Sequence, residues 1–265
     1  MGITATESRL KRSPGTANRW LQWASPQRFY PLAGRLAPWF LSAAFVLSAL
    51  GLYIGFFVAP TDHQQGDAYR IIFVHVPVAW MSMVIYLAMA FWAGVGWILN
   101  TRLSSMMARA LAPTGALFAF LTLWTGALWG RPTWGAWWVW DARLTSALIL
   151  LFLYIGFMAL QSASDDHRRG DKAGALLALV GVINVPIIYF SVQWWNTLHQ
   201  GASISFKAAP SMASTMLLGM LLVALGFWAY AIGVALLRLR SIVLEREGEA
   251  EWVAHLAELK TSGLK

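Results

Sequence analysis

The chain has 265 residues, of which 58% are hydrophobic and only 12% charged, a balance that suits a protein solvated by lipid. Without cysteine it forms no disulfide, offers no thiolate to a metal, performs no thiol redox chemistry and carries no thioether-linked haem of its own. A net charge of +8 would suit nucleic acid, but no basic run interleaves with aromatics in a polar module, so the placement of the charge decides its meaning.

Residues 1–38 read as a cytoplasmic or interfacial N-terminal segment. Trp20, Trp23, Phe29 and Tyr30 mix there with Arg19, Arg28 and Arg35 and with Pro26 and Pro31, a composition for the headgroup layer or for a poorly ordered tail. No apolar signal-peptide core precedes Trp39, so the first apolar run is expected to stay as an anchor. Six stretches free of Asp, Glu, Lys and Arg then approach the ~20 helical residues that a bilayer core requires. They cover residues 39–59, 78–99, 110–129, 144–160, 173–192 and 211–237. Asn184 followed by Pro186 hints at a break in the fifth. Beyond the membrane domain, 39–237, a cytoplasmic tail at 238–265 places Trp252, Leu256 and Leu259 at amphipathic helical spacing. The expected fold is an all-α integral membrane protein, a six-helix bundle with short outward loops, one of which, 130–143, carries a tryptophan-rich helix or loop.

Lys and Arg are retained on the cytoplasmic side during insertion, and their distribution here is lopsided. Sixteen of the twenty fall in the N-terminal segment, the loops after spans two and four, and the C-terminal tail. The other loops hold only Arg70, Arg131, Arg143 and Lys207. Both termini are therefore expected inside, with His63, His75, His199 and the segment 134–143 outside. The basic balance reflects topology and anionic lipid.

The chemistry concentrates on that outer face. Trp134, Trp137, Trp138 and Trp140 crowd one short loop that ends on Asp141, between Arg131 and Arg143. A single tryptophan there would belong to the interfacial aromatic belt, but the density of four favours a platform for a large flat apolar ligand. Read as a helix, the loop puts Trp134, Trp137 or Trp138, and Asp141 on one side. Haem fits such a surface, since it stacks its faces and keeps two propionates near water. His75 and His199 lie in different outward loops at similar depth, and imidazole is a standard axial ligand of haem iron. A lone histidine at a helix end is more often hydrogen-bonded or solvated; two beside an aromatic platform support ligation. Arg131 and Arg143 are the cations within reach of propionates, and Asp141 either contacts the ligand, orients Arg143 or caps the fourth span. His63 sits in a polar loop and reads as solvated.

These residues resemble the haem-handling proteins with a WWD motif, in particular the family of cytochrome c maturation C components (CcmC). The likeness rests on WGAWWVWDARLTS at 134–146, VHVP around His75 and WWNTLHQG at 194–201, and it runs from the first span through the sixth. It implies a bacterial inner-membrane protein that is not an enzyme. Haem, b-type and non-covalently bound, would be held by axial His75 and His199 and presented to a periplasmic haem chaperone, CcmE. The ATP-binding-cassette subunits CcmA and CcmB and a small membrane subunit, CcmD, would complete the complex. The chain itself has no Walker A sequence, dinucleotide glycine fingerprint, H-E-x-x-H or nucleophile elbow. A secondary transporter moving solute through the bundle, or a scaffold without haem, is the competing expectation. The former would call for ionisable groups near the bilayer midplane, and the six apolar stretches hold no Asp, Glu, Lys or Arg.

Overall fold

The computed structural model describes residues 24–195, 197–199 and 210–262. Trp20, Trp23 and Lys207 lie outside them. Among the described residues there is no strand, and helices follow one another as α1 Pro26–Tyr53, α2 Ile72–Ile98, α3 Arg102–Trp134, α4 Ala142–Ser162, α5 His167–Gly181, α6 Asn184–Trp194, α7 Ser214–Arg246 and α8 Glu251–Ser262. A π-helical turn, Ile54–Val58, prolongs α1, and a 3-10 turn, Asp67–Ile71, leads into α2. Six stretches are long and apolar enough to cross a membrane: Pro26–Val58, Asp67–Ile98, Arg102–Trp134, Ala142–Ser162, His167–Trp194 and Ser214–Arg246.

All six outrun the charge-free windows of the sequence. Arginines such as Arg102, Arg109, Arg238 and Arg246 are good helix formers, so the helices continue past the hydrocarbon boundary into cationic ends. α1 starts at Pro26, in a first turn where a missing N–H costs nothing, so residues 26–38 are part of this helix. The fifth span divides where Asn184 and Pro186 signalled: α5 ends at Gly181 and α6 begins at Asn184. The Asn184 side chain donates to the Ser146 carbonyl of α4 at 2.9 Å, satisfying in the interior a polar group that lipid could not.

α2 is the central helix, packed against α3, α5 and α7, whereas α1 lies along α7. That antiparallel seam is made by small residues. A Cβ on Gly51 would stand 2.7 Å from the Gly219 carbonyl, and one on Gly226 would stand 2.3 Å from the Ser48 hydroxyl, so the backbones approach more closely than any larger side chain allows. The core between α2, α3, α4 and α5 is filled by Tyr86, Met89, Phe118, Tyr154 and Phe157. The buried Tyr154 hydroxyl donates to the Ser82 carbonyl at 2.7 Å.

Opposite ends of the bundle differ in kind. At one, Arg246 grips both oxygens of Asp171 at 2.7 and 2.9 Å, Gln161 joins Asp171 at 3.0 Å, and Arg102 and Arg109 reach Glu247 and Glu245. α8 folds back there, with Trp252 donating to Glu247 and its ring 5.9 Å from Tyr30 of α1. At the other end lie the short loops that carry the tryptophans and His199, above the first turn of α2 with His75.

Candidate functional site

The tryptophan segment is a loop. Trp134 is the last residue of α3, and Gly135 adopts the left-handed conformation (φ 76°) that stops a helix, its N–H reaching the Arg131 carbonyl at 3.1 Å. Asp141, with extended backbone, starts the next helix: its carboxylate accepts from the Leu144 N–H at 2.8 Å. A stop signal and a start signal six residues apart leave no room for a helix between them. The four rings therefore do not share a helical face, and the helical platform of the sequence reading is replaced by two groups of rings. Trp134 points inward, its ring 4.9 Å from that of His199. Trp138 is half-buried with an indole N–H that has no partner, and it meets Trp140 edge-on at 5.3 Å. Trp137 and Trp140 turn outward, 56% and 78% exposed. Trp194 and Trp195, at the end of α6, are exposed as well.

His75 belongs to the interior of the second span. It lies one turn into α2 and is buried, with 8% of its surface accessible, so its expected place at the boundary is corrected. The expected window began at Val78, six residues after the helix starts at Ile72, although no charged residue follows Arg70 before that point. The ring lies against α3: Nδ1 is 2.9 Å from the Thr125 hydroxyl, Cε1 faces Gly126, and Trp129 stands edge-on at 5.6 Å. Trp129 is anchored in turn by its indole N–H to Gln65 at 2.8 Å, in the loop before α2.

His199 sits above this. Its backbone N–H donates to the Thr197 hydroxyl at 3.1 Å, and that hydroxyl donates to Asp141. The His199 Nδ1 is buried without a hydrogen bond, 3.9 Å from the same carboxylate. Burial first, and the Arg143 guanidinium second, push His199 down to about 4 against the opposing pull of Asp141. The ring is thus neutral at pH 7, and its approach to Asp141 is neither an ion pair nor a hydrogen bond.

Asp141 therefore caps α4 and braces the His199 loop, and it makes no ion pair with Arg143 among the described residues. Arg131 donates to the Gly135 carbonyl, closing the end of its own helix. Arg143 has no hydrogen bond or ion pair to a described residue, and its charge acts on both His75 and His199. The structure thus brings His75, His199, Trp134, Asp141 and Arg143 to one end of the bundle, sets Trp137 and Trp140 outward beside them, and leaves His63 exposed in its turn. Sequence reasoning passed over Thr125, Trp129 and Thr197. Only Thr197, two residues before His199, had a local signal.

This donor set fits haem. Among the described residues no group of three or more His, Asp or Glu could hold a bare metal ion. Haem iron brings four ring nitrogens with it and asks the protein only for axial ligands, which two imidazoles could supply. An indole N–H and a guanidinium that have no partner among the described residues, with outward rings beside them, suit a flat macrocycle with anionic substituents.

A family model described as Heme exporter protein C matches residues 19–254, a span that contains both histidines and the tryptophan loop. The chain is 46% identical over 241 residues to the Heme exporter protein C of Haemophilus influenzae, covering 91% of this chain and 98% of that one. It is 44% identical over 236 residues to the protein of the same name from Escherichia coli K12, covering 89% and 95%. A third, from Bradyrhizobium diazoefficiens, is 46% identical over 224 residues, covering 84% of each.

Proposed function

We propose that this chain, which belongs to the haem exporter protein C family, binds haem at the outer face of the bacterial inner membrane and hands it to a periplasmic haem chaperone, CcmE. The coarser role, haem handling for cytochrome c biogenesis by a multi-pass membrane protein, follows from the family. The observation that carries the finer one is the convergence of His75 and His199, both outside any bare-metal cluster, beside the outward Trp137 and Trp140.

Haem is cargo in this reading, held without a covalent bond. His75 and His199 each give the iron a nitrogen lone pair. Trp137 and Trp140 cover the macrocycle, Trp134 packs on the His199 ring, and Arg143 meets a propionate. Hand-off exchanges these bonds for those of the chaperone, and no bond of this chain is made or broken covalently. The protein is a transfer subunit and not an enzyme. Energy comes from partners of the ATP-binding-cassette type, CcmA and CcmB, with CcmD as a small membrane subunit, in keeping with a sequence that has no nucleotide-binding motif.

Co-expression tests the hand-off. The chaperone purified from cells with the wild-type chain carries covalent haem, and with the His75→Gly or His199→Gly chain that haem falls at least about ten-fold, the lower end of what metal sites lose with a supporting residue. Unchanged loading in both variants contradicts the reading. Orientation is tested separately, because a chain without cysteine accepts single reporters. Gln64→Cys reacts with a membrane-impermeant maleimide from the periplasmic side, whereas Asp165→Cys reacts only after the membrane is opened. The reverse pattern would put the haem site in the cytoplasm.

A further inference from the structure

The Thr125 hydroxyl lies 2.6 Å from the Leu121 carbonyl oxygen and 2.9 Å from the His75 Nδ1. Two oxygens at 2.6 Å repel unless a hydrogen stands between them, and the hydroxyl has only one to give. That hydrogen goes to Leu121. Toward His75 the oxygen can then only accept, so Nδ1 must carry the ring proton and Nε2 must carry the lone pair. Histidine in water favours the opposite tautomer. Gly126, next in the helix, fixes the plane: a Cβ there would stand 3.1 Å from the His75 Cε1, and Trp129 closes the far edge at 5.6 Å.

We propose that Thr125 is the positioning residue of His75: its hydroxyl selects the Nδ1–H tautomer and the ring orientation that present Nε2 to the iron before haem arrives. The proposal rests on the haem-binding reading for its purpose, but the tautomer itself is a property of the haem-free chain. It also distinguishes the two ligands. His75 has a neutral hydroxyl on its Nδ1 inside the bundle, whereas the His199 Nδ1 has no hydrogen bond to a described residue and lies 3.9 Å from Asp141. Supporting partners of this kind fix ring orientation and tautomer at metal sites generally.

Two measurements on the full chain in detergent test it. Nitrogen-15 histidine NMR of the haem-free protein, with His75 assigned by difference against His75→Gln, is expected to show Nδ1–H in the wild type and in Thr125→Ser. In Thr125→Val, which keeps the shape and loses the oxygen, the Nε2–H form grows in. Added haem is then expected to dissociate about ten-fold faster from Thr125→Val than from the wild type, with a partly high-spin spectrum, while Thr125→Ser behaves as the wild type. A wild-type His75 in the Nε2–H form overturns the proposal, even if Thr125→Val does not fold. So does a Thr125→Val protein that matches the wild type in both measurements. A wild type with the Nδ1–H tautomer that binds no haem sustains the positioning role and overturns the haem reading instead.

Discussion

The His75→Gly and His199→Gly proteins are expected to lose the low-spin absorption spectrum of bound haem, and added imidazole is expected to restore it in both. Each substitution removes one axial bond and leaves a space of about the size of the ligand that refills it, which is why the rescue separates lost coordination from lost structure. The loss of affinity should exceed the roughly 10- to 100-fold that metal sites suffer when a supporting residue is removed. The two variants differ in stability. His75 is buried one turn into α2, so His75→Gly costs roughly a few tenths of a kcal/mol in helix propensity and leaves a cavity beside Thr125, and the melting temperature falls. His199→Gly, in a loop, leaves it nearly unchanged. Haem spectra measured with and without imidazole, beside thermal circular dichroism, check both halves. Retention of the wild-type spectrum in either variant would remove that residue from the iron.

Joint replacement of Trp137 and Trp140 by Ala is expected to weaken haem binding at least about a hundred-fold. Burying one such ring against a ligand contributes roughly 1.5–3 kcal/mol, and both rings are exposed and free to be buried. Being exposed, they hold little of the fold together, so the melting temperature should stay near that of the wild type. Trp252→Ala is the control. That ring packs on Tyr30 at the opposite end of the bundle and should not affect haem at all. Titration of the wild type and the two variants with haem decides the matter, and equal losses in both variants would mean that the tryptophans act on the fold and not on the ligand.

Much of the architecture was legible because lipid makes demands that one sequence displays directly. A stretch without charge and of bilayer length has few alternatives to a spanning helix, and all six such stretches are helical. The broken fifth span was legible too, since Asn184 and Pro186 are adjacent to the break. The ends were not. Charge-free length reports the hydrocarbon crossing, whereas the helix persists through Arg102 or Arg246, and α2 had begun before Val78. That error alone placed His75 at a boundary rather than inside the bundle. The helical reading of the tryptophan loop failed although its correction was present: Gly135 is a helix stop and Asp141 a helix start, and ring density outweighed both. Thr125 belongs to another category. It stands 50 positions from His75, and only the register of α2 on α3 brings the two together.

Ligation of haem by both His75 and His199 is tested by the visible absorption spectrum of the purified wild-type chain during titration with haem. Saturable binding is expected, with a low-spin Soret band and the split visible bands of an iron held between two imidazoles. A chain that binds no haem, or binds it only in a high-spin form that imidazole shifts to low spin as readily in the wild type as in the His75→Gly protein, would contradict it.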